Sequence, residues 1–270
     1  MPTILMSGAS RGIGLHAARR MLDIDPTLRL IVLARGEQPA LPRTTVLRAD
    51  LTSLDSLRKA AAQISEPVDG YVGNAGIQMT NATTPTADGY ETTFAVNVLA
   101  HHLLLRLVPL AGHARVVLTG SDAHFGDLRH NLGLIPAPKW TNPDQLARPN
   151  PGRSGRGAYA DSKLGVLYLV HALARRGFNA YTWNPAFTPG TGLVRADRIG
   201  NVLFRRVFPL LPGVNTAERA GDQLAAAATG PLPAPSGSYI DRATVTPSSA
   251  ASYDEAREEE LWAAAERLTA

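Results

Sequence analysis

Short apolar runs alternate along the chain with longer stretches whose apolar residues recur every three or four positions. The short runs predict strands at Thr3–Ser7, Arg29–Ala34, Thr45–Leu47, Val68–Val72, Ala114–Thr119 and Asn179–Trp183, with a brief last one at Tyr239–Ile240. The periodic stretches predict helices over Gly12–Leu22, Leu54–Ile64, Gly89–Leu110, Gly157–Arg176, Ala217–Thr229 and Asp254–Leu268, with Ser53 as the N-cap of the second. Strands separated by helices of this length form βαβ units and a parallel sheet. The strands are apolar without alternation, which suits a sheet covered on both faces. The expected fold is α/β, a single-domain doubly wound parallel sheet spanning residues 1–270, with helices on both faces. Two regions break the pattern. Residues 125–156 hold Pro136, Pro138, Pro143, Pro149 and Pro151 and read as a flap. Residues 186–212 read as a second long loop, rich in Leu, Phe and Val.

Composition narrows this picture. The 270 residues are 44% hydrophobic and 19% charged, as for a soluble globular chain. Cysteine is absent, which removes disulfides and thiolate chemistry and suits a reducing, cytoplasmic setting. No apolar run is long enough for stable membrane insertion. The first strand begins so early that no signal peptide is expected. The net charge of +4 comes mostly from Arg, the lysines being Lys59, Lys139 and Lys163 alone. No dense basic run with interleaved aromatics points to nucleic acid. The seven histidines lack metal-ligand spacing, so no metal site is expected.

Candidate chemistry gathers where the strands end. Ser7-Gly8-Ala9-Ser10-Arg11-Gly12-Ile13-Gly14 lies between a predicted strand and helix. Glycines there let the backbone approach a pyrophosphate, and the helix start offers free N–H groups, as in a Rossmann-type dinucleotide site. Such folds commonly place an acid about 20 residues later, on the ribose hydroxyls. Here the second strand ends in Arg35, whose planar fork suits a 2′-phosphate, with Arg11 as a second contact. The expected cofactor is therefore NADP(H). Asp50-Leu51 and Asn74-Ala75-Gly76 follow the third and fourth strands, at the sheet end where ligands bind.

Tyr159 and Lys163 lie four apart at the start of a predicted helix, and so on one face. A phenol exchanges protons poorly at neutral pH unless assisted, and an ammonium one turn away favours the phenolate. Such a pair can pass a proton to a carbonyl oxygen while hydride moves at carbon. Ser121 ends the strand before the flap and can donate to a developing oxyanion. Asn97 sits inside a predicted helix, where Asn is disfavoured unless its side chain is engaged.

In order along the chain, Gly8–Gly14, Asp50, Asn74-Ala75-Gly76, Asn97, Ser121, Tyr159 and Lys163 resemble the short-chain dehydrogenase/reductase family over nearly the whole length. The resemblance implies roles. Tyr159 is the general acid/base. Lys163 binds the nicotinamide ribose and lowers the Tyr pKa. Ser121 orients the substrate oxygen, and Asn97 holds a water linking Lys163 to solvent. It also implies cofactor contacts at Pro185 and Thr188, and pairing through the helices starting near Gly89 and Gly157 as a homodimer or homotetramer, although monomers occur in the family. Ser121-Asp122-Ala123-His124 is similar to the retinol dehydrogenase branch. Gly190–Arg195 and Leu203–Pro209 are similar to the light-dependent protochlorophyllide reductases. Those reductases carry a cysteine where Phe187 stands here, and the usual Pro-Gly is Pro185-Ala186. The gap from Ser121 to Tyr159 exceeds the family's usual dozen or so residues. His124, Phe187 and Leu193 are pocket candidates. The leading expectation is an NADPH-dependent carbonyl reductase for a bulky, largely apolar small molecule. Carbon–carbon double-bond reduction and a non-catalytic NADP(H) sensor are the alternatives.

Overall fold

The computed structural model describes residues 1–131, 133–189, 214–231 and 234–270. Its apolar runs form one eight-stranded sheet. In chain order the strands are β1 (Thr3–Ser7), β2 (Arg29–Ala34), β3 (Thr44–Arg48), β4 (Val68–Gly73), β5 (Leu110–Thr119), β6 (Asn179–Asn184), β7 (Tyr239–Asp241) and β8 (Thr244–Thr246). Their spatial order is β3-β2-β1-β4-β5-β6-β7-β8. All neighbours pair in parallel except β7 and β8. The doubly wound parallel fold expected from the pattern is the fold found.

Among the described residues the helices are α1 (Gly12–Ile24), α2 (Leu54–Ala61), α3 (Thr92–Phe94), α4 (Ala100–Leu107), α5 (Leu128–Asn131), α6 (Pro143–Leu146), α7 (Gly155–Arg175), α8 (Ala217–Thr229) and α9 (Glu255–Leu268). Two apolar layers result. On one face, α1 residues Ala17, Ala18 and Met21 pack with Leu224 of α8 against β1 and β2. On the other, Leu57, Leu103, Leu104, Leu164, Leu169 and Leu261 close over β4 and β5. Burial on both sides explains why the strands do not alternate.

Three expectations change. The continuous helix over Gly89–Leu110 is broken: α3 and α4 flank a π-helical turn at Ala95–Leu99. The break places Asn97 where its amide reaches Ile77, and such turns recur at functional sites. Strand β5 starts at Leu110 rather than Ala114, behind a register shift between Val68 and Gly70. The C-terminal strand is a hairpin: Arg242, at φ +58, turns the chain so that β8 covers the edge of β7.

The flap is more ordered than its prolines suggest. It carries α5 and α6, and it is clamped to α7 through Asp161. That buried carboxylate accepts from the Lys139 N–H at 2.6 Å and from the Arg153 guanidinium at 2.6 and 2.7 Å. Helix α7 is buried along nearly its whole length, with α9 packed against α4, α6 and α7.

Removing one partner of a buried pair strands the other charge. Arg153→Ala is expected to destabilise the protein by about 3 kcal/mol in urea unfolding. A loss below about 1 kcal/mol would show that the pair does not anchor the flap.

Candidate functional site

The C-terminal ends of β1, β4, β5 and β6 bring most of the sequence-predicted residues to one rim. The first of these ends holds the Gly-rich turn. Gly8 lies at φ +74, and a Cβ there would sit 2.7 Å from the Ala75 nitrogen. A Cβ on Gly14 would collide with the Gly8 carbonyl. Both positions thus require glycine. Helix α1 begins after Arg11 with no side-chain cap and no acid in its first turn. By contrast, side chains of Ser53, Ser154, Thr216 and Asp254 cap α2, α7, α8 and α9. The open N–H groups and dipole of α1 fit a phosphate group. Ser10 and Ile13 belong to the same turn. Arg11 and Arg35 are both exposed, Arg35 directly after β2.

The second turn is pinned to the first. Asn74 donates to the Gly8 carbonyl at 2.9 Å, and the Ala75 N–H donates to Ser7 Oγ at 3.1 Å. Beneath it lies a polar network that the sequence reading missed. His101 Nε2 contacts the Ala75 carbonyl at 3.0 Å, and its Nδ1 meets the Tyr71 hydroxyl at 2.6 Å. A carbonyl only accepts, so Nε2 carries the proton and Tyr71 donates to Nδ1. Burial lowers the His101 pKa to about 4 and holds the ring neutral. Two histidines in a buried helix were the available signal. Asp50 caps its own turn, its Oδ1 accepting from the Thr52 N–H and hydroxyl, and Leu51 packs into the core layer.

Tyr159 and Lys163 lie on α7, facing the end of β5. Lys163 Nζ donates to the Thr119 carbonyl at 2.7 Å and stands 5.6 Å from the Tyr159 ring centroid. Ser121 accepts the Ala123 N–H at 3.2 Å and is hydrogen-bonded to Tyr159. Asn97 Oδ1 accepts from the Ile77 N–H, while its Nδ2 donates to the Ile77 carbonyl and to Ser162 Oγ. Both amide hydrogens are used, so a water can reach this amide only through the second lone pair of Oδ1. Gly76 backs onto the pair: a Cβ there would lie 3.2 Å from Asn97 Oδ1 and 3.5 Å from Lys163 Nζ.

One electrostatic expectation is corrected. Burial pushes the Tyr159 phenol up to about 12, against the lowering effect of Ser121. Burial likewise brings the Lys163 ammonium down to about 7. Desolvation disfavours the charged form of each, and for Tyr159 it outweighs any help from the lysine.

The third rim segment follows β6. Ala186 takes φ +57, the left-handed conformation that glycine favours, so the alanine keeps a glycine-like path rather than reshaping it. The Asn184 side chain accepts its N–H at 3.2 Å. Asn215, which the sequence reading passed over, fastens the segment by donating to the Pro185 and Phe187 carbonyls. Thr188 Oγ1 lies 3.3 Å from the Pro185 carbonyl. Phe187 is half exposed. His124 is buried against Phe125 and Tyr239, with Nδ1 2.6 Å from the Ser121 carbonyl. Leu193, the stretches Gly190–Arg195 and Leu203–Pro209, and most of the 186–212 loop lie outside the described residues. Among the described residues no acid–histidine cluster could hold a metal, and no helix is long and apolar enough to cross a membrane.

The short chain dehydrogenase family model matches residues 2–130. A protochlorophyllide reductase B from Hordeum vulgare is 30% identical over 279 residues, covering 87% of this chain and 69% of the relative. The chain belongs to the short-chain dehydrogenase/reductase family. A Streptomyces protein named "Putative daunorubicin C-13 ketoreductase DnrU" is 29% identical, over 97% of this chain and 90% of its own. The fold is shared with a Brucella melitensis 3-oxoacyl-[acyl-carrier protein] reductase solved with NAD, at TM-score 0.63 and 19% identity, covering 89% of this chain and 95% of that one. A metagenomic blue fluorescent protein solved with NADPH gives TM-score 0.62 at 20% identity, with the same coverages. This short-chain dehydrogenase/reductase is therefore an oxidoreductase of the protochlorophyllide-reductase-like branch.

The buried lysine makes stability depend on pH. Folded Lys163 releases its proton near pH 7, but the unfolded chain holds it to about 10.5. The unfolded state binds the extra proton between those values, so stability rises with pH there. The raised Tyr159 acts oppositely, only above pH 10. Urea unfolding of nucleotide-free protein should show stability rising by roughly 2 kcal/mol from about pH 7 to about pH 9. Lys163→Met should remove that rise. A flat wild-type profile would contradict the assignment.

Proposed function

We propose that this chain, acting as a single domain, is an NADP(H)-dependent ketoreductase for a bulky, largely apolar carbonyl compound, reversible to alcohol oxidation. The observation that carries the reading is the convergence of Tyr159, Ser121 and Lys163 on the end of β5, beside the Gly-rich turn. Bound there, the nicotinamide supplies or accepts hydride at carbon.

The chain's own groups do the rest. Ser121, which accepts the Ala123 N–H and is hydrogen-bonded to Tyr159, turns its hydroxyl to orient the substrate oxygen. Tyr159 holds its proton at neutral pH and gives it to that oxygen as negative charge develops. Lys163, titrating near neutrality, holds the ribose and relays the proton, with Asn97 and Gly76 shaping its surroundings. Gly8, Ser10, Arg11, Gly12, Ile13 and Gly14 receive the pyrophosphate. Arg35 takes the 2′-phosphate. Asp50, Leu51, Asn74, Ala75, Pro185 and Thr188 border the remaining cofactor path. Phe187, beside the cofactor path and half exposed, offers apolar surface to substrate.

The likeness to a protein named as a daunorubicin C-13 ketoreductase supports carbonyl chemistry. A second reading, reduction of a carbon–carbon double bond, draws on the protochlorophyllide reductase relatives. The absence of cysteine weighs against the light-driven version.

Tyr159→Phe should lower turnover about 10²–10⁴-fold, with NADPH affinity by fluorescence titration almost unchanged. Full activity in that variant would remove Tyr159 from the mechanism. Arg35→Asp should move the NADP(H)/NAD(H) ratio of kcat/KM at least about tenfold toward NAD(H). An unmoved ratio would show that Arg35 does not read the 2′-phosphate.

A further inference from the structure

Behind Ser121 lies a partly buried group of side chains that the reaction as described does not use. Asp122 Oδ1 accepts from Asn184 Nδ2 at 2.8 Å and from the Tyr239 hydroxyl at 3.1 Å. The same Asn184 nitrogen donates to Asp241 Oδ1 at 3.0 Å, and its oxygen accepts the Ala186 N–H. One carboxylate thus ties together the end of β5, the end of β6 and β7. It also supports, through Asn184, the left-handed turn at Ala186. The residue beside it in sequence, Ser121, is bonded to Tyr159.

We infer that Asp122 is a positioning residue, which holds Ser121 and the Pro185–Thr188 segment in register and sets a negative charge beside the Tyr159 end of the site. The inference rests on the role proposed for Tyr159. The physical reason is the mix of ties and charge. A partly buried carboxylate accepting two hydrogen bonds is held in place, because swinging away would give up both bonds at once. Its negative charge opposes a second negative charge forming on the neighbouring phenol. Asp122 adds to the upward push on Tyr159 after burial, the larger cause.

The other charged groups around Asp122 are few. Asp241 raises its pKa and His130 of the flap lowers it, while burial, the largest cause, raises it and its two hydrogen bonds oppose that. Arg242 pairs with the far oxygen of Asp241 at 2.9 Å. The ring of His124 is kept neutral by burial at about 4. On the α7 side, Tyr159 and Lys163 are the titratable groups already described. Asp122 is therefore the negative charge most directly joined to Ser121.

The test reads Tyr159 without turnover. Tyrosine labelled with ¹³C at Cζ is titrated by NMR in nucleotide-free protein, and the Tyr159 signal is identified by its loss in Tyr159→Phe. In Asp122→Asn, which keeps an acceptor oxygen but not the charge, the Tyr159 midpoint should fall by about one pH unit. Asp122→Ser, also uncharged, should shift it in the same direction. Asp122→Glu should restore the wild-type midpoint, and Asp241→Asn should leave it in place. In alcohol oxidation with NADP⁺, the acid limb of the kcat profile should move down with the NMR midpoint. An unmoved midpoint in folded Asp122→Asn and Asp122→Ser overturns the inference. An equal shift in Asp241→Asn overturns it too, since that would show a general loosening of the network. A shifted midpoint with no change in the acid limb would preserve the role of Asp122 and remove Tyr159 as the titrating base.

Discussion

Lys163 donates from its ammonium to the Thr119 carbonyl at 2.7 Å, in a place where burial has already brought its pKa down to about 7. Neither half of that arrangement arises from local sequence preference. A lysine in a buried helix must find an acceptor or lose its proton. Here it reaches the carbonyl of Thr119, the last residue of β5, and ties α7 to that strand end. Tyr159 lies one turn earlier on the same helix. Ser121 is two residues beyond the strand that Lys163 grips. The same lysine therefore helps set the spacing between Tyr159 and Ser121.

Around this pair, the site is assembled by side chains that hold one strand end to the next. Asn74 ties the turn after β4 to Gly8 after β1. Asn97, in its π-helical turn, holds the Ile77 backbone under Gly76. Asp122 and Asn184 join β5 to β6 and β7. A parallel sheet leaves its strand ends as separate loops, and each of these amides or carboxylates turns two loops into one wall. Such walls hold together because their polar groups pair with one another away from bulk water.

The strand and helix pattern, the Gly-rich turn and the Tyr159–Lys163 spacing were legible in the sequence because they depend on local periodicity and local spacing. Arg35 was legible as a candidate because its position relative to β2 is a local fact. The break at Asn97 was not, since a π-helical turn is set by a tertiary bond to Ile77. The His101–Tyr71 network and the Asp122–Asn184–Tyr239 group were equally hidden. Their members come from separate strands and helices, and only the sheet order brings them together. The direction of the Tyr159 shift was misjudged for a related reason. The spacing showed a lysine nearby, but the depth of burial, which decides the sign, depends on how α7, the flap and β5 close together.

In the proposed reaction hydride reaches a carbonyl carbon while Tyr159 supplies the proton to its oxygen. Tracing deuterium from 4-deuterated NADPH tests it most directly, using a compound that holds both a ketone and a carbon–carbon double bond. Deuterium is expected on the carbinol carbon, with the double bond intact. Deuterium at a saturated carbon of the former double bond, with the ketone unreduced, would contradict it.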